Sequence, residues 1–161
     1  AIQSFLIRLP EKCLTIFDIN LRQNFFSETI IDASLQLADI LKLNEDELPG
    51  VARLFKIKGS EEDILRSLIQ QYQLKMIALT KGANGSLLIT EKESSRLDTP
   101  KVKVADTVGA GDSFTAAIAV GVLKGLPLKK IHSNAVEISA FVCTQNGAMP
   151  GLSQSILDKL F

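Results

Sequence analysis

The stretch from Asp106 to Phe114, "DTVGAGDSF", decides how this chain is read. It places two glycines and an alanine between two aspartates, directly ahead of a run of small apolar residues, "TAAIAVGVLKG". Gly109 and Gly111 can take up backbone conformations closed to other residues, which lets the main chain come close to a ligand. The helix expected from Gly111 onward starts with unpaired N–H groups, and with the helix dipole these make an anion site suited to phosphate oxygens. Asp112 then needs a reason, because a carboxylate beside an anion site repels the anion. General-base chemistry uses that placement: Asp112 takes the proton from a hydroxyl that attacks a phosphorus held by Gly109, Ala110 and Gly111. The alternative is an aspartate that merely caps a helix after a tight glycine turn. A dinucleotide fingerprint would need glycine at Phe114, and a Walker A loop would need Gly-Lys-Ser/Thr, which is absent. Ala116, Ala117, Ala119 and Gly121 read as close helix packing.

The rest of the chain narrows the setting. With 161 residues and 46% hydrophobic content, it can bury one sizeable core and reads as a single domain over 1–161. Eighteen Lys plus Arg balance eighteen Asp plus Glu, so no global basic field argues for nucleic acid or an anionic membrane. Cys13 and Cys143 stand far apart, and with one histidine they cannot form a thiolate or imidazole cluster for a transition metal. Both read as buried, reduced thiols. His132 reads as a surface residue at a helix start, and Lys81 as a solvated lysine. No apolar run approaches the ~20 residues of a membrane span. The N-terminus "AIQSFLIRLPEK" lacks a basic n-region and a cleavage site, so a cytoplasmic enzyme or binding domain is expected. "IQSFLIRL" resembles the last turns of a helix whose beginning is missing.

Short apolar runs alternate with amphipathic segments. Strands are expected at Leu14–Phe17, Ile40–Leu43, on both sides of the turn "GANG", and in "KVKVADT", where Lys101 and Lys103 oppose Val102 and Val104. Helices are expected after Ser27, with Ile30, Ile31, Leu35, Leu37 and Ala38 at helical spacing, and after Asn44, taken as the cap of a helix carrying Glu47. A further helix runs from Ser60, whose partner Asp63 completes a relative of the capping box, to about Leu74. The last two run from Gly111 and from Leu128 to Cys143, broken by "GLP". This alternation calls for an α/β fold, a mostly parallel sheet flanked by helices. "DTVGAGD" then falls where a strand gives way to a helix, where such sheets bind ligands.

"DTVGAGDSFTAAIAVGVLKG" resembles the C-terminal signature of the PfkB-type carbohydrate kinases, the ribokinase-like family. "DINLR", "ADILKLNEDEL" and "LTKGANG" resemble the family's other blocks, in the family's order, and "NAVEISAFVCTQNGAMP" resembles the segment that closes the adenine pocket. The resemblance implies an ATP-dependent sugar kinase with Asp112 as catalytic base and Gly109, Ala110 and Gly111 as anion hole. It implies that Asn44 and Glu47 hold Mg²⁺ and its waters near the nucleotide phosphates; alone, the pair reads as a capping asparagine and a solvated glutamate. Thr80, Gly82 and Gly85 resemble the nucleotide-contacting turn, and Asn134 the residue beside the adenine. Asp106, Val108 and Gly147 match positions that help bind a monovalent cation such as K⁺ in many relatives, although Gly151 stands where some carry serine.

Asp18, Asn20 and Arg22 read as a polar cluster at a strand end, where arginine suits phosphate or a charged group of a sugar, against an Asx turn with a surface arginine. "DINLR" leans toward fructokinase-like or keto-sugar-acid kinase relatives. The family's sugar-binding strands, lid and Gly-Gly element have no counterpart here. The chain therefore resembles an incomplete ribokinase-like fold, the C-terminal nucleotide-binding and catalytic-base half, inactive alone and expected to act as a homodimer when full length. Its partners would be ATP and a small sugar, with no nucleic acid and no membrane. A noncatalytic nucleotide-binding or interaction module derived from such a kinase is the other class.

Overall fold

A computed structural model describes residues 2–10, 12–22 and 25–160. In chain order the elements are α1 (Ile2–Leu6), β1 (Ile16–Asp18), α2 (Glu28–Leu35), β2 (Ile40–Asn44), α3 (Leu48–Leu54), α4 (Glu61–Tyr72), β3 (Met76–Thr80), a 3₁₀ turn (Gly82–Asn84), β4 (Ser86–Ile89), β5 (Ser94–Leu97), α5 (Ala110–Leu123), α6 (Leu128–Cys143) and α7 (Gln154–Leu160). The strands form one mixed sheet in the order β1-β2-β3-β4-β5. β1, β2 and β3 are parallel, in register through Asp18 opposite Lys42 and Asn44 opposite Thr80. The connections from β3 to β4 and from β4 to β5 are five and four residues long. A parallel crossover needs a dozen or more residues, so both turn back on themselves. The expected α/β sheet with helices is present, its parallel part being β1–β3.

The chain divides into two compact units. The first, residues 1–80 with 88–94, has its core in the apolar faces of β2 and β3, where Ile40, Leu41, Leu43, Ile77, Ala78 and Leu79 are fully buried. Near-continuous apolar strands are what a covered parallel sheet requires. Helix α2 starts on Ser27, whose hydroxyl accepts from the Ile30 amide, and α4 carries a complete capping box between Ser60 and Asp63. Asp39 joins the entrances of the three parallel strands. Its carboxylate accepts from the Thr15 amide (2.8 Å) and hydroxyl (3.1 Å) ahead of β1, and pairs with Lys75 (2.8 Å) ahead of β3. The second unit, residues 81–87 with 95–161, is built on α5 packed against α6. Gly121 permits that approach, since a Cβ there would lie 2.8 Å from the Ile131 side chain.

Several expectations are corrected. "KVKVADT" is not a strand: Val102 and Val104 are exposed, and the Ala105 and Asp106 amides donate to the Cys143 carbonyl at the end of α6. The strand lies upstream at Ser94–Leu97, whose polar residues carry no alternating pattern. Asn44 ends β2 rather than capping a helix, and α3 begins at Leu48. β1 is shifted to Ile16–Asp18, and Ile30 on α2 is exposed. Both thiols are free, but Cys13 is exposed and Cys143 only half-buried. Among the described residues no helix is long and apolar enough to cross a membrane.

Candidate functional site

In the second unit the opening motif forms the entry to α5. Gly109 is its cap residue, with φ at 82°, and a Cβ there would collide with the Ala148 carbonyl oxygen; both demands exclude other residues. The Ala110 amide donates to the Thr107 carbonyl at 3.3 Å and the Ser113 amide to the Gly109 carbonyl at 2.9 Å. The Gly111 and Asp112 amides are then the first-turn donors with no helical acceptor, at the positive end of a 14-residue helix. Asp112 stands in that turn and is exposed. The Ala110 carbonyl accepts from the hydroxyls of Ser113 (2.9 Å) and Ser139 (3.0 Å). Asp106 accepts from the amides of Val108 (3.0 Å) and Gly147 (3.2 Å), and these backbone donors hold its carboxyl below the usual carboxylate range. The bond to Gly147 brings together the 106–108 and 147 segments. Burial, and then the negative Asp106, push the Cys143 thiol up.

The turn from Lys81 to Gly85 belongs to the same unit. The Lys81 amide donates to the Gly85 carbonyl (2.9 Å), and Gly82 and Gly85 both have positive φ. Thr99 staples this turn: its hydroxyl accepts from the Gly85 amide (3.1 Å) and donates to the Gly82 carbonyl (2.5 Å). A cleft of about 550 Å³ in this unit is lined by Pro100, Val102, Val136, Ala140 and Phe141, with Ser133, Glu137 and Thr144 as polar groups. Val136, Glu137, Ala140 and Phe141 lie within "NAVEISAFVCTQNGAMP", the segment whose resemblance implied an adenine pocket, but sequence reading singled out none of them, and Pro100 and Val102 carried no such signal. Asn134 is 3% exposed and lies outside this lining.

His132 corrects an expectation. It is 0% exposed, with Nε2 at 2.8 Å from the Ser86 hydroxyl and Nδ1 at 2.8 Å from the Ser95 hydroxyl, and its ring meets Phe114 edge-on. Burial pushes its pKa down to about 4. A lone polar residue beside "LKK" gave no sign that helix rotation would turn it inward.

In the first unit the predicted residues gather at the carboxyl ends of the parallel strands, where α/β sheets bind ligands. Glu47 is 7% exposed, not a solvated helical residue. One of its oxygens accepts from the Leu21 amide (3.3 Å) and the other from the Asn44 amide (2.8 Å). Asn44 Oδ1 accepts from the Asp46 and Glu47 amides, each at 2.9 Å. The Thr80 carbonyl accepts from the Glu45 amide (2.9 Å), closing the ends of β2 and β3. Asp18 pairs with Lys42 at 2.9 Å, and Arg22 donates to Asn20 at 3.1 Å. Lys42 was not predicted; only the parallel register opposite Asp18 reveals it. With two lone pairs of the Glu47 carboxylate already engaged, the pair suits a cation that keeps its waters, as Mg²⁺ does. Among the described residues no cluster of three His, Cys, Asp or Glu offers a cage.

The first unit ends its parallel strands in polar side chains, the second starts α5 on a glycine ahead of an aspartate, and each is an arrangement that α/β proteins use at ligand sites. The family model of the pfkB family carbohydrate kinases matches residues 7–155, and the chain belongs to that family. It is similar to the fructokinase of Escherichia coli, 29% identical over 147 residues, covering 84% of this chain and 47% of that protein. A sugar kinase from Pyrococcus horikoshii, itself uncharacterised and solved in complex with ATP, is 29% identical with a TM-score of 0.75, over 91% of this chain and 47% of that one. The ribokinase of Thermotoga maritima, 24% identical, shares the fold with a TM-score of 0.78 over 99% of this chain and 52% of that one. The chain spans about half the length of the curated relatives it matches.

Proposed function

We propose that the protein carrying this chain is an ATP-dependent sugar kinase, and that residues 1–161 are its nucleotide-binding and catalytic-base part. The observation that carries this reading is the start of α5: Gly109 in a conformation closed to side chains, amides of the first turn left for an anion, and Asp112 beside them in solvent. Membership of the pfkB family and likeness to an ATP-bound sugar kinase support it. Gly109, Ala110 and Gly111 would shape the backbone that meets the transferred phosphoryl group. Asp112 would accept the proton of a primary alcohol as its oxygen bonds to the γ-phosphorus and ADP leaves.

The apolar cleft between Pro100 and Phe141 would take a flat base such as adenine, Asn134 would serve as the residue beside that base, and Thr80, Gly82 and Gly85 would contact the nucleotide. Asn44 and Glu47 would hold hydrated Mg²⁺, which when bound neutralises phosphate charge. Asp106, Val108 and Gly147 would offer backbone oxygens to a monovalent cation such as K⁺. Asp18, Asn20 and Arg22 would face the sugar, with Asp18 held by Lys42 and Arg22 by Asn20 before it binds. A cytoplasmic homodimer completes the proposal.

The test is Asp112→Asn in the full-length protein, assayed against fructose, ribose, keto-sugar acids and nucleosides. Turnover should fall ~10²–10⁴-fold while ATP affinity holds, because the base is lost and the amides remain. Near-normal turnover would place the base elsewhere. ATP binding by the unaltered protein with no turnover on any acceptor would favour the noncatalytic module.

A further inference from the structure

Among the groups that the proposed chemistry does not use, one buried set stands out: Ser86, His132 and Ser95, joined by two hydrogen bonds of 2.8 Å through both nitrogens of one imidazole. All three are less than 9% exposed, and they lie in one compact unit. Their positions in the chain are informative. Ser86 directly follows Gly85, the last residue of the proposed nucleotide turn, and opens β4. Ser95 lies on β5, four residues ahead of Thr99, the hydroxyl that staples the same turn, and five ahead of Pro100 in the cleft. His132 lies on α6, one residue before Ser133 and within one turn of Val136, both cleft residues.

We propose that His132 is a positioning residue for the nucleotide, holding the cleft-forming face of α6 in register with the 82–85 turn through Ser86 and with the Thr99–Val102 segment through Ser95. This rests on the kinase reading above. A neutral imidazole has one donor and one acceptor, and each serine hydroxyl can rotate to match either. The ring can therefore satisfy two strands and a helix at once, which no aliphatic side chain can do. Phe114, packed edge-on against the ring, extends the contact to the helix whose start carries Asp112. The connection is buried, so water cannot replace a lost partner, and the register it fixes should soften when either bond is removed.

The experiment uses the full-length protein and Mg-ATP as the calorimetric probe, with melting temperature measured in parallel. His132→Phe should weaken ATP binding about tenfold. His132→Gln, which keeps a polar atom near the Nε2 position and Ser86, should retain more affinity than His132→Asn, which keeps one near Nδ1 and Ser95. Ser86→Ala and Ser95→Ala remove one hydroxyl each from small residues and should each weaken ATP severalfold, with the Ser86 change the larger. A purely structural histidine would lower the melting temperature of these variants without altering ATP affinity of the folded protein, and that result overturns the proposal. So does an equal affinity for the Gln and Asn variants. Should His132→Phe fail to fold, the two serine variants decide alone: unchanged ATP affinity in both overturns it. Absence of ATP binding by the unaltered protein would instead remove the kinase reading on which it rests.

Discussion

At the scale of single residues, two buried polar groups carry consequences that their sequence neighbours hide. His132 has an ordinary pKa of 6.5, and burial holds the folded value near 4. Between those values the unfolded chain binds a proton that the native state refuses. Stability should therefore be flat from this group above pH 6.5 and fall as pH drops toward 4, by up to ~1.4 kcal/mol per pH unit. Urea unfolding at pH 7, 6 and 5 measures the slope, and His132→Phe should remove this component. Glu47 is the second case. Its carboxylate serves the Leu21 and Asn44 amides, so Glu47→Gln, which puts a donor where an acceptor stood, should cost roughly 1–3 kcal/mol in the same assay. The Mg²⁺ concentration for half-maximal rate in the full-length enzyme should rise as well. An unchanged requirement would leave Glu47 a structural clamp alone.

At the scale of elements, the first unit depends on how its parallel strands are started. Parallel strands come from distant segments, and here Asp39 gathers the entries to β1 and β3 around its own. Burial alone would raise its pKa, but the bonds from Lys75 and Thr15 outweigh that and leave it below the ordinary value. Asp39→Ala should cost about 1–2 kcal/mol, chiefly through the partly buried Thr15 groups, since the lysine is largely exposed. Lys75→Ala should cost less than half as much by denaturant titration. Equal losses would mean that the ion pair, not the Thr15 bonds, holds the strand entries.

At the scale of the whole molecule, exposed apolar groups and partial coverage of relatives point the same way. Ile2, Phe5, Ile7 and Phe25 are 65–82% exposed, and β1 is a three-residue strand at one end of the sheet order. Such surfaces associate. The 161-residue chain alone should self-associate, bind adenine nucleotide weakly and release no ADP in the presence of sugars. The chain spans about half the length of the relatives it matches, and ~1 Å of misplacement of an acceptor hydroxyl can cost ~10²-fold. Light scattering with a coupled ADP-release assay decides it; a monomer with sugar-dependent ADP release would overturn the expectation.

What the sequence determined by itself follows from local rules. Glycine at 109, small residues along α5, the Ser60–Asp63 box and the apolar runs at 40–43 and 76–79 each act within a few residues, and so these elements and the family were legible from the chain. What only the tertiary structure decided depends on pairing across distance. Residues 94–97, three of them polar, became a strand because a partner strand was available, while 101–104 stayed outside the sheet and the next amides, of Ala105 and Asp106, met the end of α6. Glu47 and His132 turned inward because residues 26 and 46 positions away supplied hydrogen bonds that make burial of a polar group tolerable. Lys42 met Asp18 only through the register of two parallel strands, which no local pattern encodes.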